Sequence, residues 1–336
     1  MTMNIFIDEA FEPIYQHDPL VLVDVGARGG LKSNWIPAKP HLRVVGFEPD
    51  PKEFERLRQR PDVLDGSTVV VDSAVHNRQG AARFHLAQDR GLSSVFEPNH
   101  EFLAAFPEAG RFETVAVQDV SADTLDHLLP ARNIHSVDFL KADTQGSELF
   151  VLQGAERLLA SSVLGVEVEV EFTPIYRDQP LFSDVDAYLR GLGFHLFDLR
   201  PVYWKRAAGR NIGGPRGQIV WADALYLKTV PALRAALEPM APPLRKAKVL
   251  KAISIALLYG YFDYGLELAA TAGETLSAEE RATIERQVRK GGAAAGIPEF
   301  PGQRPLAAAL RRLWQAVVPR DEEAWSVSRA ELGNRG

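Results

Sequence analysis

The sequence predicts an α/β fold: a mostly parallel seven-stranded sheet with an antiparallel last strand, then a C-terminal helical appendage. Apolar strand-like runs alternate with helical segments through the first 230 residues, as strand–helix–strand crossovers require. The last two runs are joined by a Gly/Arg-rich connection, Lys205 to Gly217, with no helical period, which fits a hairpin at a sheet edge. After Pro231 no strand pattern appears, and the Pro-rich stretch 239–243 reads as a linker. The expected domains are therefore residues 1–230 and 231–336.

The first strand, Leu20–Val25, closes on Asp24-Val-Gly26-Ala-Arg28-Gly29-Gly30, where glycines let the backbone turn tightly and approach a ligand. Ala27 and Arg28 separate the glycines, so the run is not a dinucleotide fingerprint. The second strand, Arg43–Phe47, leads to Glu48, 22 residues after Gly26. An acid there can accept both hydroxyls of a ribose. Asp50 caps a helix over Pro51–Arg60, with proline at the first helical position. The third strand, Thr68–Val75, brings Asp72 and Ser73 to where a polar side chain meets an adenine edge in such folds. Asp123 is a candidate N-cap for a short helix. The fourth strand, Val137–Lys141, passes through Lys141-Ala-Asp143-Thr-Gln145-Gly146-Ser-Glu148 into a helix over Gly146–Leu159. Ligands of open α/β sheets sit outside such carboxyl ends.

The fifth strand, Gly165–Phe172, is anomalous. Glu167, Glu169 and Glu171 alternate with valines and share one face, whereas a central parallel strand should be apolar on both. Either that face meets solvent or the acids gather at a cleft. A helix over Asp184–Leu192 and strands at Phe194–Leu199 and Gln218–Leu227 complete the sheet. His195 reads as a core or edge residue, not a base. In the tail, helices are expected around Arg245–Ala272, Ser277–Lys290 and Pro305–Val318. The basic cluster Arg245, Lys246, Lys248 and Lys251 reads as a solvated helix end. Tyr259, Tyr261, Phe262, Tyr264 and Trp314 call for a packing partner: the core, the acceptor side of a site, or a second copy.

Net charge is −6, yet residues 231–336 carry 15 Lys/Arg against 12 Asp/Glu, so the first 230 are distinctly acidic. That argues against nucleic acid, whose footprint is a basic face. There are no cysteines, which excludes disulfides, thiolate zinc sites and cysteine nucleophiles and favours the cytoplasm. The eight histidines form no HxH or HxxxH pair. The start, MTMNIFIDEAFE, lacks a basic n-region, and the longest nearly uncharged apolar run, Ala252 to Phe262, is too short to span a bilayer.

Lys141, Asp143, Gln145, Gly146, Glu148, Val151, Leu152, Gly154 and Ala155 fit the pattern K-x-D-x-[EQ]-G-x-E-x-x-V-L-x-G-A. This segment resembles the signature of the FkbM family of S-adenosylmethionine-dependent methyltransferases. The glycine loop from Asp24, the Glu48-Pro49 pair, Ser93-Ser94, and Glu169 with Phe172, Pro174 and Tyr176 resemble further family features, from about Leu20 to Lys228. The resemblance implies a Rossmann-like class I fold, S-adenosylmethionine as cofactor, and methyl transfer to a hydroxyl of a sugar, glycan or small natural product. It implies cofactor contacts from Asp24, Gly26, Arg28, Gly29, Gly30, Glu48, Asp72, Ser73 and Asp143. Asp143 would serve as base or orienting group, Lys141 would steady a developing alkoxide, and Glu169 would line the site. No metal is expected, although Asp143 and Glu169 have the oxygen chemistry for one. Two rivals share parts of the pattern: a nicotinamide-dependent oxidoreductase, which would need the missing fingerprint, and a non-catalytic nucleoside-binding scaffold.

Overall fold

The computed structural model describes residues 5–6, 8–64, 66–210, 217–293, 300–317, 325–328 and 332. Its strands are β1 (Leu20–Val25), β2 (Leu42–Phe47), β3 (Thr68–Val71), β4 (Ala74–Val75), β5 (Gly80–Ala87), β6 (Thr114–Asp123), β7 (Phe139–Ala142), β8 (Gly165–Glu171), β9 (Phe194–Trp204), β10 (Gln218–Lys228) and β11 (Ser326–Ser328). The main sheet has the order β11-β9-β10-β8-β7-β1-β2-β3. Pairs from β8 through β7, β1 and β2 to β3 are parallel, while β10 runs antiparallel to both neighbours. Without β11 this is the seven-stranded class I layout, with its hairpin at the edge. Part of the connection between β9 and β10, residues 211–216, lies outside the described residues.

The structure corrects the sequence reading in several places. The third strand is two: β3 stays in the main sheet, whereas β4 joins a second sheet of order β4-β6-β5. The β5–β6 pair has no clear sequence signal, because half of β6 is exposed and the strand lacks sustained apolar alternation. Asp123 ends β6 and binds the Thr124 N–H and the His127 ring; the helix Leu125–Leu128 starts after Thr124. Helix 146–159 is broken into Glu148–Gln153 and Glu156–Ser161. The break falls at Gly154, where a Cβ would lie 2.2 Å from the His76 carbonyl, so the chain passes too close to β4 for any side chain. β11 pairs antiparallel with β9, a strand where the tail's composition predicts none.

Two apolar layers cover the sheet. One holds Val23, Val45, Leu140, Val166, Val168 and Val170 under the crossover helices. The other joins Leu20, Phe139, Leu164 and Leu227 to Leu250, Ile253, Ile255 and Leu257 of the Pro242–Leu258 helix. That helix is thus part of the main core, and the tail's aromatics follow it. Tyr259 stacks on Phe139 and meets Trp35 edge-on, while Tyr261 and Tyr264 pack against Phe197. Trp314 differs: it is 63% exposed.

The basic cluster is not solvated either. Lys248 and Lys251 are buried and converge on Asp138, which is 0% exposed, at 2.5 and 3.2 Å. Lys251 also reaches Asp18 at 2.8 Å, and the Val21 N–H donates to Asp138 at 2.8 Å. Burial opposes the Asp138 charge, but the two ammonium groups outweigh it and hold its carboxyl below the ordinary range.

Candidate active site

A cavity of about 500 Å³ opens at the carboxyl ends of β1, β2 and β7, within the size range of small-molecule sites. Gly26, Arg28, Gly29, Gly30, Glu48, Ser73, Lys141 and Asp143 all line it. Backbone bonds extend the ladders beyond the strands: Gly26 N–H donates to the Phe47 carbonyl, Glu48 N–H to Val71, and Asp143 N–H to Val25. The three loops are therefore held in register by the sheet. Gly26 has φ +83°, and a Cβ on it would sit 1.9 Å from the Asp143 carbonyl, so only glycine lets the β1 and β7 turns touch.

Glu48 is 5% exposed and accepts the Asp50 N–H at 2.9 Å. Burial pushes its carboxyl up to about 7, against the opposing pull of that N–H and of Arg28. Asp50 caps its helix through the Lys52 N–H and receives both arms of Arg90 at 3.1 Å. Arg90 and its neighbours Gly91, Ser93 and Val95 form the wall opposite the glycine loop. Arg28 donates to the Arg90 carbonyl at 2.8 Å, so it ties the loop to that wall as well as lining the cavity. Ser94 donates to the Gln145 carbonyl at 2.6 Å, a tie and not a cavity contact.

Three expected contacts stand elsewhere. Asp72 is exposed and does not line the cavity, because β3 ends before it and the chain turns toward β4; Ser73 alone faces in. Asp24 lies off the lining and binds Lys141 at 2.9 Å. Glu169 lies behind Gln145, off the lining, where its Oε1 accepts the Gln145 amide at 2.6 Å. His195 is exposed on β9.

Lys141 sits between Asp24 and Asp143, 3.9 Å from the latter. Burial works against its ammonium, but the two carboxylates outweigh it and hold its pKa above the ordinary range. Gln145, which the sequence reading did not single out as a site residue, links the parts. With φ +60° it turns its amide toward Asp143 Oδ1 at 3.2 Å and toward Glu169, while the Tyr176 hydroxyl lies 3.0 Å from its oxygen. Its fixed place in the signature was the available signal.

The acids of β8 gather instead of facing water. Glu167 accepts the Tyr259 hydroxyl at 2.7 Å and pairs with Lys32. Carboxylate oxygens of Glu148, Glu169 and Glu171 lie within 4.8 Å of one another and have the donor chemistry for a cation. Glu148 is satisfied by the Thr144 and Gly146 N–H groups at 2.6 and 2.9 Å. Burial, with the surrounding carboxylates, pushes Glu169 and Glu171 well above the carboxylate range, which favours their protonated forms.

The FkbM methyltransferase domain model matches residues 24–196, and the chain belongs to that family. Among named relatives, the 2-O-methyltransferase NoeI of Sinorhizobium fredii (strain NBRC 101917 / NGR234) is 24% identical over 149 residues, 43% of this chain and 60% of that protein. Methyltransferase 1 of Beauveria bassiana (strain ARSEF 2860) is 25% identical over 167 residues, 46% of this chain and 65% of that protein. The match thus spans under two thirds of the length of these curated relatives. Among solved structures, an FkbM methyltransferase from Methylobacillus flagellatus KT aligns with a TM-score of 0.36 and 16% identity, covering 62% of this chain and 44% of that one.

Proposed function

We propose that the chain is an S-adenosylmethionine-dependent O-methyltransferase whose acceptor is a hydroxyl of a sugar, glycan or small natural product. The observation that carries this reading is one cavity that joins a glycine turn, the strand-end acid Glu48 and Asp143. The residues fit the cofactor. Gly29 lines the cavity, and a Cβ there would meet nothing within 4 Å, so the loop leaves room for a ligand. Glu48 has the acceptor oxygens for two ribose hydroxyls, and Ser73 faces the cavity beyond it. When bound, the cofactor supplies an electrophilic methyl whose bond to sulfur breaks, leaving its electron pair there, as the acceptor oxygen bonds to the carbon.

The chain's own work is positioning and proton handling. Asp143 takes or orients the acceptor's hydroxyl proton, with its carboxylate held by the Gln145 amide. Lys141, tied to Asp24, stabilises negative charge beside Asp143 electrostatically. NoeI is named a 2-O-methyltransferase, which supports an oxygen acceptor. The acidic first 230 residues favour a small-molecule or glycan acceptor over nucleic acid. No metal is required in this reading, since protonation relieves the Glu169–Glu171 crowding.

Calorimetry with S-adenosylmethionine, its demethylated product and NAD is the direct test. The first two should bind and NAD should not; NAD binding alone would point to the oxidoreductase. Asp143→Asn should lower turnover about 10²–10⁴-fold with cofactor affinity nearly intact. Normal turnover would remove the base role, and affinity falling in step with rate would make Asp143 a cofactor ligand. Chelator in the assay should leave the rate unchanged. A loss reversed by Mg²⁺ would instead place a cation on the Glu148–Glu169–Glu171 group.

A further inference from the structure

The helix Gln303–Val317 is unlike every other long helix described. Its large apolar side chains Leu306, Leu310, Leu313 and Trp314 recur at i, i+4, i+7 and i+8, one stripe of an amphipathic helix. They are 49%, 56%, 60% and 63% exposed. With Phe300, they make up five of the ten exposed large hydrophobics among the described residues, so this is a contiguous patch and not ordinary scatter. At 100° per residue, Arg311 lies about 60° beyond Trp314, nearest the stripe, while Arg304 and Arg312 lie further round toward the opposite face. Residues 303–317 contain these three arginines and no acid.

We propose that this helix docks in the plane of an anionic lipid surface, with the leucine–tryptophan stripe in the acyl boundary and its arginines reaching the headgroups. Charge selects this occupant. A basic helix with an exposed apolar stripe and an aromatic at its edge has the composition of an interfacial anchor, and long arginine side chains reach headgroups while their stems stay apolar. The broad groove between the Val230–Leu237 and Pro242–Leu258 helices is a poorer seat. Apolar Leu233, Leu237, Val249 and Leu268 line it, but Arg234, Arg245 and Lys246 outnumber Glu238 and Glu274 there. Lys246 is itself paired with Glu280, so the groove is close to neutral and offers the three arginines no counter-charge. In-plane docking needs no membrane span, and among the described residues no helix is long and apolar enough for one.

The test is flotation of the full chain with vesicles of phosphatidylglycerol and phosphatidylcholine, and with phosphatidylcholine alone, at moderate salt. Light scattering without lipid gives the mass. We expect binding to the anionic vesicles, weaker binding to the neutral ones, and loss in 1 M salt as headgroup attraction is screened. Leu310→Glu with Trp314→Glu should abolish binding. Arg304→Gln with Arg311→Gln should weaken it on the order of 20-fold, from the usual contribution of a basic residue at such a surface. All these positions are exposed, so an unchanged melting temperature checks that the body stays folded. Three results would overturn the proposal: no anionic-vesicle binding, binding untouched by the stripe variant, or a lipid-free dimer that the stripe variant splits, which would assign the stripe to a second copy.

Discussion

Glu48 shows how one buried carboxylate couples ligand binding to pH. Its folded pKa of about 7 lies above the ordinary 4.5. Without ligand it therefore contributes stability that is full below about pH 4.5 and lost as the pH rises to about 7. Ribose hydroxyls are bound best by the ionised form, so cofactor binding should release its proton. Affinity should rise by up to about tenfold per pH unit between pH 5 and 7 and level off above. Glu48→Ala should erase that slope and weaken binding at least about tenfold above pH 7. Calorimetry across the pH range reads both, and a flat wild-type profile would contradict the ribose role. The sequence marked Glu48 because strand and acid are local. It misassigned Asp72 because the direction of a side chain at a strand end depends on where the chain goes next, and β4 leaves for another sheet. The burial of Glu169 behind Gln145 was equally out of reach: a period of two says which residues share a face, not what lies over it.

At the scale of elements, the site depends on turns that touch. Gly26→Ala would place a methyl 1.9 Å from the Asp143 carbonyl and force a side chain to adopt φ +83°. The left-handed conformation alone costs about 1–2 kcal/mol, and the clash must also push the β1 and β7 turns apart. The variant should melt lower and bind cofactor at least about tenfold more weakly; wild-type affinity would show that the turn is not the seat. The parallel strands and the helix after Glu48 were legible because apolar runs and the Asp50-Pro51 cap are local signals. The pairing of β5 with β6 was not, since at least half of each strand is exposed or only partly buried and 26 residues of chain separate the two. Gly154 was visible only as part of a signature, and its reason, contact with the His76 carbonyl, is tertiary.

The whole molecule is welded by an ion cluster that joins the sheet to the tail. Asp138, immediately before β7, holds Lys248 and Lys251 from the Pro242–Leu258 helix in the core. Asp138→Asn should cost about 3–5 kcal/mol, because the buried Lys248 ammonium loses its counter-charge and Lys251 keeps only Asp18. Its depressed pKa gives the sign with acid: the stabilisation is present above the ordinary carboxylate range and lost as the pH falls below it. Urea titration at neutral pH reads the loss, and an unchanged midpoint would mean the lysines find other partners. This cluster also redraws the expected boundary near residue 230, since the helix beyond it belongs to the main core. The α/β alternation, the glycine turn, the strand-end acids and the family signature are legible in the chain's own order, since each is set by neighbours within one or two elements. Which acids face the cavity, which lysines are buried, and the return of the tail to the sheet as β11 emerge from the folded arrangement. Those outcomes follow from packing between segments far apart in the chain, such as Lys251 against Asp18, 233 residues away, and no local period encodes them.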